Sequence, residues 1–403
     1  MSRWSTVPIA ATVALLVVAA VTSACGSGTS GTATPALAPA APSLPVASGV
    51  TSPSTSAVLL PMGHLDDPTN TFWELFLRPS GSPAWTLHTP PGVADNGGLV
   101  AAVPTTGALA VGFLPSQDLR FSPVSLTTDG GGTWSPGQLP VALEAAPDAL
   151  SVGPDGRLAA VAATAGQTLL TSTGDPTTWL STVSRAAVAR EVPTCGVGRL
   201  SAVAFDPAGG LALGLQCTRR GVIGLAVVSP PTATGPVAGR RWTVTSATVP
   251  TGVGDAISTV LRLESTDAGL QALAELRSGS SSWLGALWAP TAAGRWTRSA
   301  ALPVPSGWSV QATATGGANG RGVAVLLSSG ADRRIEEIEG PGSAWTAVPS
   351  VPVSAATLAW LGGETDVFVG SNSHLSIWTS TVTAAGWSRT ASITVPIQYG
   401  SSS

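Results

Sequence analysis

Apolar residues in this chain come in short runs, each cut off by turn residues. Leu99–Val103, Leu109–Phe113, Val124–Thr127 and Trp134–Leu139 are four such runs in succession. Runs of this length, rich in small and β-branched residues and bounded by Gly, Pro, Asn or Asp, read as β-strands. No stretch repeats its apolar positions at helical spacing between capping residues, so almost no helix is expected. Asp-Gly and Asn-Gly pairs accept positive φ and suit tight hairpins between neighbouring strands.

The runs belong to a longer repeat. Six Gly-containing turns precede a small or apolar strand: Thr106-Gly107, Asp155-Gly156, Ala208-Gly209, Ala268-Gly269, Asn319-Gly320 and Gly362-Gly363. In register with them stand seven Trp, at 85, 134, 179, 242, 296, 345 and 387, separated by 49, 45, 63, 54, 49 and 42 residues. Repeats of this length holding four short strands predict a seven-bladed β-propeller of four-stranded antiparallel blades. The first unit, from about Ser56 to Pro90, is short for four strands. Ile393–Tyr399 is therefore expected to pair into it and close the ring, with the alternative that Ala57–Met62 completes it.

One repeat carries a recognisable element. Thr127-Thr128-Asp129-Gly130-Gly131-Gly132-Thr133-Trp134 resembles the Asp-box of sialidase-like (BNR-repeat) β-propellers, matching at Thr127, Asp129, Gly131, Thr133 and Trp134. Ser172–Trp179 keeps an eroded form of it. The resemblance implies a propeller in which this element is a peripheral turn: Asp129 accepts backbone N–H bonds, Gly131 supplies an uncommon conformation and Trp134 packs between sheets. It identifies a fold and no chemistry. Trp85, Trp179, Trp242, Trp296, Trp345 and Trp387 are read as the matching blade tryptophans.

Composition narrows the function classes. Only 10% of the residues are charged, against about 25% in a typical domain. All 19 basic residues are Arg, with no clustered footprint for nucleic acid, so no nucleic-acid partner is expected. The Ala, Gly, Pro and Arg bias, with no Lys, suits a GC-rich bacterium such as an actinobacterium. Residues 1–24 have the parts of a signal peptide: Arg3, an apolar core over Ile9–Val21, and Thr22-Ser23-Ala24 before Cys25. That ending resembles a bacterial lipobox, which implies lipidation at Cys25; an ordinary secretory signal with a chance Cys is the alternative. Residues 25–55 read as a lipidated Cys and a low-complexity tether, which leaves 56–403 for the propeller. The expected location is the outer face of the cytoplasmic membrane or the cell surface, with the membrane as partner through the lipid. Cys195 and Cys217 are an even pair in an exported chain, which suggests a disulfide.

Candidate chemistry is sparse. Sialidases of the resembling family use three Arg, one in an Arg-Ile-Pro context, and a Tyr nucleophile. Here Arg78 precedes Pro79, the only Tyr is Tyr399, and Arg120, Arg199, Arg262 and Arg277 sit in no motif. No catalytic residue, metal site or cofactor is assigned. His64–Asn70 reads as an Asp-Pro turn in preference to a calcium loop, and Asp332–Glu339 as a solvated outer strand. Trp360, on an expected inner strand, is the candidate for a ligand contact in the channel, with core packing as the default. The favoured function is non-catalytic binding or scaffolding at the cell envelope, with a protein or glycan partner. The alternative is a glycan-directed hydrolase, sialidase-like or with paired carboxylates.

Overall fold

The computed structural model describes residues 49–51, 54–63, 71–90, 95–102, 106–115, 123–138, 147–163, 166–230, 242–371, 373–381 and 386–395. Its strands follow one another as antiparallel meanders. The first comprises β1 (Gly49–Thr51), β2 (Thr55–Gly63), β3 (Thr71–Pro79) and β4 (Thr86–Leu87). Next come β5 (Asp95–Ala102), β6 (Leu109–Pro115), β7 (Pro123–Thr127) and β8 (Ser135–Gln138). They are followed by β9 (Ala149–Val152), β10 (Leu158–Ala163), β11 (Gln167–Ser172) and β12 (Trp179–Ser184). A helix, α1 (Arg185–Glu191), leads on to β13 (Val197–Phe205), β14 (Leu211–Cys217), β15 (Val222–Ile223), β16 (Leu225–Ser229), β17 (Thr243–Ser246) and β18 (Val249–Pro250). Of these, β13, β14, β16 and β17 form the meander, while β15 and β18 pair beside it.

The chain continues with β19 (Ile257–Thr266), β20 (Gly269–Ser278), β21 (Ser281–Ala289) and β22 (Thr297–Arg298), and with β23 (Leu302–Val304), which also pairs β21. Then come β24 (Ser309–Gly316), β25 (Gly322–Ser329), β26 (Asp332–Ile338) and β27 (Thr346–Val348). The last meander is β28 (Thr357–Leu361), β29 (Glu364–Ser371), β30 (His374–Thr381) and β31 (Trp387–Thr394). Among the described residues the fold is nearly all β, with one short helix.

The helix has local causes. The Ser184 hydroxyl accepts the Ala187 N–H at 3.3 Å as its N-cap, and Val188 buries its apolar side. Seven residues are too few for a helical period to stand out in the sequence. Helix α1 and the turn after it fall within the widest Trp spacing, between Trp179 and Trp242.

Sheet packs on sheet by interdigitated apolar faces. Leu59, Leu75 and Leu77 of the first meander meet Val100, Leu109 and Val111 of the second. Ala110 and Leu126 meet Leu150 and Leu158, and Val161 and Leu169 meet Leu200 and Leu213. Ala204 and Leu225 meet Val260 and Leu270, Leu273 and Leu284 meet Val323 and Val325, and Ala314 and Leu326 meet Leu358 and Val367. Finally, Phe368, Leu375 and Ile377 of the last meander pack on Val58, Leu60 and Phe76 of the first. The Trp of the repeat fall one to each cluster, always against the preceding sheet: Trp134, Trp179, Trp242, Trp296, Trp345 and Trp387 in chain order, with Trp85 against the last.

Three expectations are corrected. First, the tail does not extend the first sheet within the described residues: β31 ends at Thr394 and pairs β30, and 396–403 lie outside them. The first sheet is completed from its own N-terminal side, by β2 and by β1, which pairs β2 and also touches β24 at Gly49↔Ala314. Val50, Ala57, Leu59 and Leu60 are all buried, so this short segment gains more burial there than in solvent. Second, β1 falls inside the span 25–55 read as tether. Residues 1–48, with the signal and Cys25, lie outside the described residues, as do His64–Asn70. Asp332–Glu339 is likewise no solvated face: in β26 Ile335 is fully buried and Glu336 is 2% exposed, because neighbouring sheets cover both of its sides.

Candidate functional site

Hairpin turns at one end of the sheets enclose a cavity of about 430 Å³. Its walls come from β1 and β2 (Thr51, Ser56), from the end of β3 and the turn after it (Arg78–Gly81), and from the β19–β20, β24–β25 and β28–β29 hairpins (Asp267, Gln271, Asn319, Gly362). The last three hairpins carry the Gly markers Ala268-Gly269, Asn319-Gly320 and Gly362-Gly363. The same Gly that punctuates the repeat therefore shapes the mouth of the cavity. Ser265 also lines a smaller space, of about 50 Å³, bounded by β5, β9, β13 and β19. That inner surface combines small residues (Ala101, Ala149, Ser201, Ala202) with Asp148, Arg262 and Glu264.

Several polar groups of the cavity wall are engaged with residues behind it. Arg78 donates from Nε to the Ser82 carbonyl at 2.7 Å, from Nη1 to Asp366 Oδ2 at 3.0 Å and from Nη2 to Glu364 Oε2 at 3.2 Å. Thr51 Oγ1 donates to the Trp360 carbonyl at 3.4 Å, and Ser56 Oγ to Thr51 Oγ1 at 3.2 Å. Thr266 Oγ1 donates to the Gly269 carbonyl at 3.1 Å, and Thr315 Oγ1 to Glu264 Oε2 at 2.6 Å. Arg262, almost wholly buried, donates to the Thr313 carbonyl at 2.7 Å and also to Glu264 and the Gly49 carbonyl. Gln271 lies opposite Glu264 in the β19–β20 ladder. Its Nε2 reaches the Gly322 carbonyl at 3.5 Å, while its Oε1 is buried with no hydrogen-bond partner.

The other singled-out residues lie elsewhere. In the turn after β7, Thr133 donates to Asp129 from its hydroxyl at 2.6 Å and from its backbone N–H at 2.9 Å, and Thr127 Oγ1 donates at 2.7 Å. These donors, Thr133 first, hold the Asp129 carboxyl well below the usual range. Gly131 has φ 89°, and a Cβ there would press on Leu77 of the preceding sheet. Trp134 is half-buried against that sheet. Asp175 accepts from the Thr177 N–H and hydroxyl, both at 2.8 Å, in the eroded copy of the turn. Trp85 and Trp296 are buried, and Trp179, Trp242, Trp345 and Trp387 half-buried. Cys195 and Cys217 form a disulfide that joins the start of β13 to the end of β14. Arg199 pairs with Asp148 and Arg277 with Glu275, while Arg120 and Tyr399 lie outside the described residues.

Trp360 takes the core role and not the channel role. It is 1% exposed and packs with Leu326, Leu358 and Val367. A Cβ at Gly322 would collide with its ring, so the indole fills space that glycine leaves open. The Trp360 backbone carbonyl accepts the Thr51 hydroxyl of the cavity wall. Among the described residues, no group of three or more His, Cys, Asp or Glu is placed to hold a metal ion, and no helix is long and apolar enough to cross a membrane.

The cavity residues themselves were missed by sequence reasoning. Arg78 stood out only for lacking a motif, and Asp267, Gln271 and Thr315 not at all. The Gly markers were the available signal, since turns that recur at one end of a repeat converge in space.

No protein-family model and no curated protein matches the chain. Solved structures do. A GH74 xyloglucanase from Xanthomonas campestris aligns at 17% identity and TM-score 0.53, covering 85% of this chain and 54% of that one. A puromycin-hydrolyzing peptidase of Mycobacterium tuberculosis aligns at 12% identity and TM-score 0.50, covering 91% and 56%. A protein from Lactobacillus plantarum aligns at 11% identity and TM-score 0.50, covering 85% and 97%. The chain thus spans about half the length of the first two. At these identities the likeness concerns fold alone, and the fold is that of a β-propeller.

Proposed function

We propose that this chain is an exported lipoprotein whose seven-bladed, Asp-box propeller binds a ligand at the cell envelope without turning it over. The observation that carries the binding reading is the cavity of about 430 Å³, a volume within the range of small-molecule sites. Four meanders contribute to its wall. The seven-blade reading draws on the cyclic order of the apolar clusters, with one Trp in each. The export reading draws on residues 1–24 and the Cys25 context, and the Asp-box reading on Thr127–Trp134.

Among the described lining residues Asp267 is the sole carboxylate, whereas glycoside hydrolysis ordinarily needs a pair flanking the bond. This favours binding over hydrolysis. Native mass spectrometry of the full chain purified from envelope fractions tests the reading. A bound small molecule is expected on the wild type and absent from Asn319→Trp, which fills the mouth. Identical spectra for the two would refute the cavity as the site. Turnover of a fluorogenic glycan panel, abolished by one carboxylate substitution, would replace binding with hydrolysis. Cys25→Ala is expected to move the protein from the membrane pellet to the soluble fraction.

A further inference from the structure

We infer that Asn319 is a site of spontaneous deamidation, which turns a neutral amide at the cavity mouth into a carboxylate. The pair Asn319-Gly320 supplies the reacting groups. The Gly320 backbone nitrogen gives up its proton to water and attacks the carbonyl carbon of the Asn319 side chain. The bond from that carbon to the amide nitrogen breaks, and ammonia leaves with a proton. The cyclic imide that remains is opened by water at either carbonyl, giving Asp or isoaspartate. One water enters for each ammonia lost, and no oxidant, metal or second protein takes part. The modification stands apart from what the cavity holds; its effect on a ligand rests on the cavity being a binding site.

The fold exposes this pair. Of the chain's four Asn, Asn96 and Asn319 precede Gly. Asn96 lies within β5, whereas Asn319 lies at the tip of the hairpin between β24 and β25. It is exposed together with Ala318 and Gly320. Among the described residues no hydrogen bond holds its amide, so the side chain can fold back over the chain. Gly320 has φ 62°, and a Cβ there would meet nothing within 4 Å. Neither a side chain of its own nor a neighbour therefore crowds the attacking residue.

The same hairpin sets the rate. The Gly320 N–H donates to the Gly317 carbonyl at 3.2 Å, and that bond must open before the nitrogen can attack. Below the tip, Glu339 accepts the Ala318 N–H at 3.2 Å, and the Trp288 indole donates to the Arg321 carbonyl at 2.8 Å. Glu339 therefore holds the turn closed and slows the step. The product changes the charge of the site. Asp267 is the sole carboxylate among the described lining residues, and conversion of Asn319 adds a second. The mouth loses the N–H donors of the amide and gains a charge that repels anions.

Incubation of the full chain at mildly alkaline pH, followed by tryptic mapping, tests this. Arg298 and Arg321 delimit a peptide in which Asn319 is the only Asn. Its mass reports conversion, and chromatography separates Asp from isoaspartate. Both products are expected from wild type, and neither from Asn319→Gln over the same period. Glu339→Ala should convert several-fold faster than wild type. Glu339→Gln, which keeps an acceptor for the Ala318 N–H, should convert at the wild-type rate. Asn319→Asp should melt as wild type does and change which small molecule native mass spectrometry finds on the chain. An Asn319 that stays amidated in the folded chain, while the same peptide cut free converts, would overturn the inference. Equal rates in Glu339→Ala and wild type would remove the hairpin's control of the step. A ligand held equally by Asn319→Asp and wild type would overturn the effect on binding. A wild type that holds no ligand would refute the cavity reading and leave the modification standing.

Discussion

The last sheet, β28–β31, meets a carboxylate on each of its two faces, and the two are treated very differently. Neighbouring residues of β29 point to opposite sides. On one side Asp366, 1% exposed, accepts from Arg78 at 3.0 Å, from Trp85 Nε1 at 2.8 Å and from Thr379 Oγ1 at 2.5 Å. Trp85 also stands edge-on to Phe368, with ring centroids 5.0 Å apart. On the other side, Thr365 offers its hydroxyl to Glu337 of β26. Burial, with Glu339 adding repulsion and Thr365 partly opposing, pushes the Glu337 carboxyl up to about 7. A buried charge is tolerated where several donors converge on it and penalised where one hydroxyl stands alone. The face that joins the last sheet to the first is thus the one fitted with a guanidinium, an indole N–H and a hydroxyl.

The most severe way to break this contrast is Asp366→Ala. It leaves Arg78 with Glu364 as its one carboxylate partner, strands the Trp85 N–H and takes the acceptor from Thr379, and is expected to cost about 3–5 kcal/mol in chemical denaturation. A loss below about 1 kcal/mol would mean that the apolar cluster alone holds the seam. A covalent constraint supplies a scale for comparison. Replacing Cys195 and Cys217 with Ala releases a loop with a sequence separation of 22 residues and should cost about 3 kcal/mol. It leaves both faces of the last sheet untouched.

Glu337→Gln is expected to act in the opposite direction. The folded carboxyl, at about 7, lies above its ordinary 4.5. Stability linked to its protonated form is therefore complete below 4.5 and lost as pH rises through about 7. Gln keeps the acceptor for Thr365 and cannot ionise. The variant should match wild type at pH 4 and melt higher at pH 8, a gain of roughly 2 kcal/mol. Equal melting temperatures at pH 8 would place Glu337 in a wetter setting than its burial indicates. Asp129→Ala, in an exposed turn away from both faces, should lower the melting temperature less than Asp366→Ala or loss of the disulfide. Asp175→Ala, with fewer donors to lose, should lower it less still.

Local punctuation was readable in the sequence. The Trp ruler falls at the start of, or one residue before, the outer strand of each meander, and the Gly markers fall in the hairpins that precede β6, β10, β14, β20, β25 and β29. Both are effects of the backbone or of one bulky residue, so the signal is local. The seams were not readable. Arg78 and Asp366 are 288 residues apart, and nothing near either indicates the other. The cavity failed for the same reason, because Asp267, Thr315 and Arg78 meet only after the sheets have packed. Trp360 packs in the core, its default reading, while Asp332–Glu339 was misjudged because strand alternation reveals two faces without saying what covers each. Tail pairing was expected because the first repeat looked short, and β1 lies just where low complexity argued against structure.

β1 also has a mechanical meaning. A pull on the chain from its N-terminal side reaches this strand before any other described one. Three residues face β2, at Gly49↔Val58, Val50↔Ala57 and Thr51↔Ser56, and the buried Arg262 guanidinium grips the Gly49 carbonyl from β19. Load arriving there is spread at once over two distant sheets. A short strand so anchored serves as a strain relief: a pull on the residues before Gly49 is taken up without peeling the first sheet open from its edge.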